Sequence, residues 1–307
     1  MRKKVVIGTR GSQLARWQAD WARTRLEQLH AGLEVELKII STRGDRELGL
    51  SLPSLGEQGK GLFTRELEDE MLAGTIDIAV HSLKDLPTEM TSGLQIAAIS
   101  EREDVRDALV AREGIRSFDA LPAGARVGTS SLRRQAQIRA RRQDLQLEAI
   151  RGNVDTRLRK VENGGFDAVV LASAGLRRLG YERRITESLE PDFILPAVGQ
   201  GALAIQSRIG DSNITSLVAP LNHTETAAAC RAERAMLLGL GGGCLVPIAA
   251  LASVEGGGLK IRGLVASPDG SEIIRDEDAG KAASPEAVGD RLARGLLAKG
   301  AGRLLKI

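Results

Sequence analysis

Lys4-Val5-Val6-Ile7-Gly8-Thr9-Arg10-Gly11-Ser12 decides the fold class. Val5, Val6 and Ile7 predict a short buried strand over Lys4–Thr9. Ser12 is a helix N-cap, and the apolar spacing beyond it predicts an amphipathic helix over Gln13–His30. The alternation continues outward with a strand at Glu34–Ile40, a helix at Leu62–Ala73 and a strand at Asp77–Val80. Between them, Gly44 to Gly61 is rich in glycine and contains Pro53, which predicts a long mobile loop. A second block of the same style follows Asp104, with strands at Ala108–Ala111, Val127–Thr129, Gln146–Ile150 and Asp167–Ala172 and helices at Ser131–Arg142 and Val154–Asn163. Pro191 and Pro196 flank a hinge, and Gly199-Gln200-Gly201 leads into a strand at Leu203–Gln206, so the chain is expected to cross into a second domain and return. After Leu221 the order changes to a helix (Thr224–Gly239), three strands (Ile248–Val254, Leu259–Ala266, Glu272–Asp278) and a closing helix (Pro285–Lys299), the pattern of a small α+β domain. The expected division is domain 1 over 1–102 and 197–219, domain 2 over 103–196 and domain 3 over 220–307. No internal repeat of fixed period is visible.

Composition narrows the function classes. In a 307-residue chain the longest apolar stretches, Ala168–Ala172 and Leu245–Ala252, fall well short of the roughly 20 residues that span a bilayer. Met1-Arg2-Lys3-Lys4 is followed by only three apolar residues before Arg10, too short for a secretory leader, which predicts a cytoplasmic protein. Two cysteines, Cys230 and Cys244, cannot make a disulfide scaffold. The net charge is only +3, yet Arg126 to Lys160 holds ten basic against three acidic residues, a net of +7 that leaves about −4 for the rest. That concentration points to an anionic partner. Seven aromatic residues, none interleaved with the arginines, argue against nucleic acid.

Three constellations can carry chemistry. In Gly128-Thr129-Ser130-Ser131-Leu132-Arg133-Arg134 a strand ends in hydroxyl residues and a helix starts with two arginines, either an anion site or an ordinary N-cap with a solvated basic face. Arg151-Gly152-Asn153 with Arg157, and Arg10-Gly11-Ser12, repeat the arrangement and favour binding. Lys84-Asp85 sits just past a strand end, where open α/β sheets place ligands; Asp85 is a general acid/base or part of a surface turn closed by Pro87. Gly241-Gly242-Gly243-Cys244 puts a cysteine after a glycine run, either a nucleophile or attachment point, or a buried strand start. Cys230, among alanines on a helix, fits burial. With three histidines at no ligand spacing (His30, His81, His223), no metal site is expected. These residues admit a cysteine enzyme, a two-lobed anion binder or a basic nucleic-acid binder.

Taken in order, Ile7–Ser12, Thr42-Arg43-Gly44-Asp45, Gly59-Lys60-Gly61-Leu62-Phe63, His81–Asp85, Gly128–Arg134, Arg151-Gly152-Asn153, Val198–Gly201 and Glu233-Arg234 through Gly243-Cys244-Leu245-Val246-Pro247 resemble the porphobilinogen deaminase (hydroxymethylbilane synthase) family along nearly the whole chain. The resemblance implies two α/β domains like type II periplasmic binding proteins and a small C-terminal α+β domain. It implies a dipyrromethane cofactor on a thioether at Cys244, onto which four porphobilinogen units are added with loss of ammonia before hydrolysis releases hydroxymethylbilane. Asp85 matches the catalytic carboxylate. Lys84, Thr129, Ser130, Ser131, Arg133, Arg134 and Arg151 match cofactor-binding positions. Arg10, Ser12, Lys60, Phe63, Arg157, Arg178 and Gln200 match substrate-binding or hinge positions. Family members often carry a second lysine before the one matching Lys60, which this chain lacks. A monomer is implied, with product handed to uroporphyrinogen III synthase. The alternative is a non-catalytic two-lobed binder of small anions on the same scaffold.

Overall fold

The computed structural model describes residues 3–42, 64–242 and 246–305. In chain order the strands are β1 (Lys4–Thr9), β2 (Glu34–Ile39), β3 (Ile78–Ser82), β4 (Leu94–Ile99), β5 (Asp107–Ala111), β6 (Arg126–Gly128), β7 (Gln146–Glu148), β8 (Ala168–Ala172), β9 (Glu187–Leu189), β10 (Leu203–Arg208), β11 (Ile248–Glu255), β12 (Gly258–Ala266) and β13 (Ile273–Lys281). The helices are α1 (Gln13–Leu29), α2 (Arg65–Leu72), α3 (Leu132–Arg139), α4 (Val154–Glu162), α5 (Ser173–Arg178), α6 (Ser212–Val218), α7 (Thr224–Gly239) and α8 (Pro285–Ala298). The chain divides into two compact units, Met1–Arg102 with Ala202–Ala227, and Glu103–Gly201 with Ala228–Ile307.

In the first unit the sheet runs β2-β1-β3-β10-β4, with β1 parallel to β2 and β3, and β10 antiparallel to β3 and β4. Strand alternation sends Val5 and Ile7 to one face, where they pack with Ala19, Ala22 and Leu26 of α1. Val6 faces the other layer, built on Leu67 and Met71 of α2. Gly8 shares that second face. A Cβ there would lie 2.3 Å from Ile76 Cδ1 and 3.1 Å from Leu67 Cδ2, so only bare backbone fits without displacing the helix layer.

The second unit holds a sheet of order β7-β6-β8-β5-β9, with β6 parallel to β7 and β8, and β5 antiparallel to β8 and β9. Order and sense repeat those of the first sheet. In each, the antiparallel fourth strand is laid down directly after the chain crosses between units. These are the two expected α/β domains. The same unit contains the antiparallel meander β11-β12-β13, whose core is shared with α7 and α8 through Ala232, Met236, Ile261, Leu292 and Leu296. Helix α3 docks on this meander: Ala136 and Leu195 cluster with Ala249, Leu264 and Ala266, and Arg139 Nη1 donates to the Pro268 carbonyl at 2.9 Å. Gly270, at φ +74°, makes the close approach possible, since a Cβ would fall 2.4 Å from the Ala136 carbonyl oxygen.

The units differ from the expected boundaries in two places, each with a hydrogen-bond reason. Residues 197–201 stay with the second unit, because Gln200 Nε2 donates to the Val105 carbonyl and Gly199 N to Glu233 Oε2. Residues 220–227 stay with the first, where Asn222 Oδ1 accepts from Ile99 N and His223 N donates to the Ile99 carbonyl. The expected second and third domains pack as one unit. Strand β3 also runs two residues further than expected, so the His81–Pro87 motif begins inside the sheet.

Candidate functional site

Asp85 lies on a 3-10 turn, Leu83–Asp85, that leaves the end of β3 directly. The strand end beneath it is held on both faces. Ser82 Oγ accepts from Gln18 Nε2 of α1 at 2.8 Å, and on the opposite face His81 Nε2 meets Gln206 Oε1 of β10 at 3.1 Å. Leu83 N donates to the Ala202 carbonyl. Asp85 itself is exposed and Lys84 half-buried. Arg10, half-buried, stands at the end of the neighbouring β1, and Ser12 caps α1, its Oγ accepting from Ala15 N at 3.3 Å. Burial pushes the His81 imidazole down to about 4, assisted by the Arg10 guanidinium and opposed by the Gln206 hydrogen bond. A lowered imidazole pKa means that the unfolded chain binds the proton more readily. Stability from this group is therefore complete above its ordinary 6.5 and lost as pH falls from 6.5 towards 4. We expect a decline on the order of 3 kcal/mol over that window in denaturant titrations. The His81→Leu protein should show a flatter profile.

In the second unit Arg126, Arg141 and Arg159 of the basic run are exposed and paired with Glu148, Asp119 and Asp155, but the two arginines that open α3 do not form a solvated face. Arg133 and Arg134 are 5% and 7% exposed, and both converge on Asp107, which has no exposure at all. Arg133 Nη1 lies 2.8 Å from Asp107 Oδ2 and donates to the Leu195 carbonyl at 2.7 Å. Arg134 donates from Nη2 to Asp107 Oδ1 at 2.6 Å and from Nη1 to the Val170 carbonyl at 2.9 Å. Gln200 Nε2 completes the cluster at 2.9 Å from Asp107 Oδ1. Burial alone would raise the Asp107 carboxyl, but the two guanidinium groups outweigh it and hold the acid well below the usual carboxylate range. Burial lowers the Arg133 guanidinium while Asp107 opposes that shift. Two cations on one anion leave the cluster with one positive charge in excess.

The remaining residues of the βα junctions fall into place around it. Thr129 is buried, and its Oγ1 accepts from Ser131 N; Ser131 caps α3, its Oγ accepting from Arg134 N at 3.5 Å. Ser130 Oγ donates to the Ile150 carbonyl at 2.7 Å and accepts from Ile150 N at 3.0 Å, so its hydroxyl ties this junction to the next. There Gly152, at φ +106°, leaves no room for a side chain: a Cβ would sit 2.7 Å from Thr156 Cγ2. Arg157 Nε donates to the Gly152 carbonyl at 2.8 Å, and Arg151 is half-buried beside it. Asn153 caps α4 by backbone only, with no side-chain cap bond. Arg178, at the end of α5, donates to the Gly201 carbonyl at 2.6 Å, and burial pushes its guanidinium down to about 10 against the pull of Glu103. Cys230 is fully buried in α7. Gly241, at φ +69°, ends that helix, with Gly242 N donating to the Leu237 carbonyl at 2.8 Å. Cys244, Lys60 and Phe63 lie outside the described residues. Among the described residues no group of His, Cys, Asp or Glu is placed to hold a metal, and no helix is long and apolar enough to cross a membrane.

Residues 5–216 match the family described as porphobilinogen deaminase, dipyromethane cofactor binding domain, and residues 227–298 match the porphobilinogen deaminase C-terminal domain. The chain belongs to the porphobilinogen deaminase family. The porphobilinogen deaminase of Pelobacter propionicus is 50% identical over 304 residues, 99% of this chain and 97% of that protein. That of Moorella thermoacetica is 52% identical over 303 residues, 99% of this chain and 96% of that protein. Among solved structures, the probable amino-acid ABC transporter extracellular-binding protein ytmK of Bacillus subtilis is similar at 10% identity with a TM-score of 0.43, covering 72% of this chain and 90% of that one.

The family's cofactor domain therefore spans both α/β sheets, and the donors present fit a polycarboxylate. Within a cluster one negative charge short, the Nε–H groups of Arg133 and Arg134 are buried without a hydrogen-bond partner, and Asp107 Oδ2 has only its ion pair with Arg133. Unsatisfied buried donors of this kind are costly unless an acceptor arrives. Asp107 is the residue that sequence reasoning missed here. Its signal was an acid heading an apolar strand, Asp107-Ala108-Leu109-Val110, which a buried sheet tolerates only with a cationic partner.

Proposed function

We propose that the chain condenses four porphobilinogen units into a linear tetrapyrrole, with Asp85 as the catalytic carboxylate and the βα-junction arginines as carboxylate holders. The observation that carries this reading is the placement of Asp85: exposed, on the first turn beyond a strand end clamped from both faces. Loss of ammonia breaks a carbon–nitrogen bond and leaves positive charge on the substrate's methylene and pyrrole ring. An anion fixed against the ring N–H stabilises that charge where it develops. Each new carbon–carbon bond displaces a proton from a ring carbon, and Asp85 can accept it and later return it. The bound dipyrromethane supplies the ring carbon that receives the first substrate. Each ring brings an acetate and a propionate. Arg10, Ser12 and Lys84 would hold them in the first unit, with Lys60, Phe63 and the hinge residue Gln200 completing the substrate set. Thr129, Ser130, Ser131, Arg133, Arg134, Arg151, Arg157 and Arg178 would hold the cofactor and chain in the second.

Cys244 is the attachment point in this reading, supported by the burial of Cys230 in α7 and by the left-handed Gly241 that turns the chain out of that helix. The test is the denatured intact mass of protein made in a host that produces porphobilinogen, beside Cys244→Ser. Mass equal to two condensed pyrrole units on the parent chain alone is expected. A parent chain left unmodified after incubation with porphobilinogen would overturn the tether. A second outcome separates the arginines. Arg151→Ala should fold normally and accumulate partly extended enzyme-bound chains on a native gel or by mass. Arg134→Ala should lose stability as well, because Asp107 then keeps only one cationic partner, Arg133, beside Gln200. A cytoplasmic monomer that passes its product to uroporphyrinogen III synthase is part of the same proposal; sedimentation checks the monomer and coupled assays the hand-over.

A further inference from the structure

Histidine 81 lies two residues before the turn that carries Lys84 and Asp85, and the reaction as described does not use it. Strand alternation places it with Ala79 on the α2 face of the first sheet, opposite the face that Ser82 shares with α1. Gln206 pairs in register with Ala79 and so stands on the same face, diagonal to His81. A buried chain of hydrogen bonds follows: His81 Nε2 to Gln206 Oε1 at 3.1 Å, Gln206 Nε2 to Glu68 Oε1 of α2 at 3.0 Å, and Thr91 Oγ1 to Glu68 Oε2 at 2.7 Å. Its direction is fixed by chemistry. Gln206 donates its NH2 to Glu68 Oε1, which leaves its carbonyl, an acceptor only, facing His81. The imidazole then has to donate from Nε2, as the neutral Nε2–H tautomer. His81, Gln206 and Glu68 are all under 8% exposed, so none can exchange a lost partner for water without cost.

We propose that His81, as a neutral Nε2–H imidazole, is a positioning residue for Asp85: through Gln206 and Glu68 it locks the end of β3 to α2, and so sets where the carboxylate stands. The proposal rests on the reading of Asp85 as the catalytic carboxylate.

A carboxylate displaced by about 1 Å loses on the order of a hundredfold in rate while substrate carboxylates remain held elsewhere. Three cofactor-loaded proteins test this: His81→Leu, Glu68→Gln and Asp85→Asn. For His81→Leu, kcat for porphobilinogen should fall about tenfold to a hundredfold with KM within about twofold, at full cofactor loading by mass. Glu68→Gln lets the chain reverse, since its new amide can donate to a turned Gln206, and it should recover most of the rate. Nitrogen-15 spectra of the parent holoenzyme should show His81 protonated at Nε2 and bare at Nδ1. The opposite tautomer or an imidazolium at neutral pH overturns the proposal even if His81→Leu fails to fold. So does a folded His81→Leu with unchanged kcat, or with kcat and KM moving together. If Asp85→Asn turns over normally, the reading of Asp85 fails; if it is inactive while His81→Leu is normal, only the positioning role fails.

Discussion

Asp85→Ala is expected to cut turnover by about 10²- to 10⁴-fold while leaving the melting temperature and cofactor content unchanged. The separation of effects follows from where the carboxylate sits. Asp85 is exposed on a three-residue turn, so its removal opens no cavity and strands no buried partner. The strand end that presents it is held by Ser82, His81 and the Leu83 amide, all of which the substitution leaves intact. In the proposed mechanism, what is lost is a negative charge where the substrate becomes cationic, together with the acceptor for the displaced proton. Asp85→Glu keeps both functions but shifts the carboxylate by one methylene, and should fall between the two. Single-turnover measurement with limiting porphobilinogen gives the cleanest readout, since it reports the first addition without the later ones. Parent-like rates for Asp85→Ala would remove this residue from the mechanism.

Much of the scaffold was readable along the chain because local signals agreed with tertiary ones. Helix α7 spans Thr224–Gly239 as read, since an alanine-rich interior, an acidic first turn and a glycine stop all point the same way. The crossing at Gly199-Gln200-Gly201 and the returning strand β10 were legible from glycines followed by an apolar run. Strand β4 and helix α6 went unread, and β9 is only three residues long, too short to show a period. The duplicated sheet order left no trace either, because equal topology requires equal backbone pairing and not equal side chains. At the site, Thr129 to Arg134 was legible as a strand-to-helix junction, and the ambiguity between anion site and solvated face was real. The structure gives a third answer. Adjacent helix positions both turn inwards because α3 is covered on two sides, by Asp107 of β5 and by the Leu195 carbonyl. Neither partner is near in sequence, so no window around Arg133 could reveal them.

That third answer makes Asp107 the most consequential buried group in the second unit. Asp107→Ala leaves two guanidinium groups of 5% and 7% exposure without their shared counter-ion, and Gln200 without one of its acceptors. Removing one partner of a buried charge pair costs about 3–5 kcal/mol, because the other charge stays desolvated. Domains hold only about 5–15 kcal/mol in total, so denaturant or thermal melting should show a large loss confined to the second unit. Asp107→Asn separates charge from shape. Its Oδ1 can still accept from Arg134 and Gln200, but the cluster now carries two positive charges in excess where the parent carries one. A bound polycarboxylate should then stabilise the variant more than it stabilises the parent, since linkage rewards whatever the folded state alone binds. The expected result is a wider gap between cofactor-loaded and cofactor-free melting temperatures for Asp107→Asn than for the parent chain. The pH dependence carries the same signature. The Asp107 carboxyl is held below its ordinary value, so its contribution is complete above about pH 4 and is lost only as pH falls beneath that range. Acid titration of the parent should therefore show a step below pH 4 that Asp107→Asn lacks. An equal gap in melting temperature for the two proteins would mean that the arginine pair is sealed by Asp107 alone and holds no ligand carboxylate.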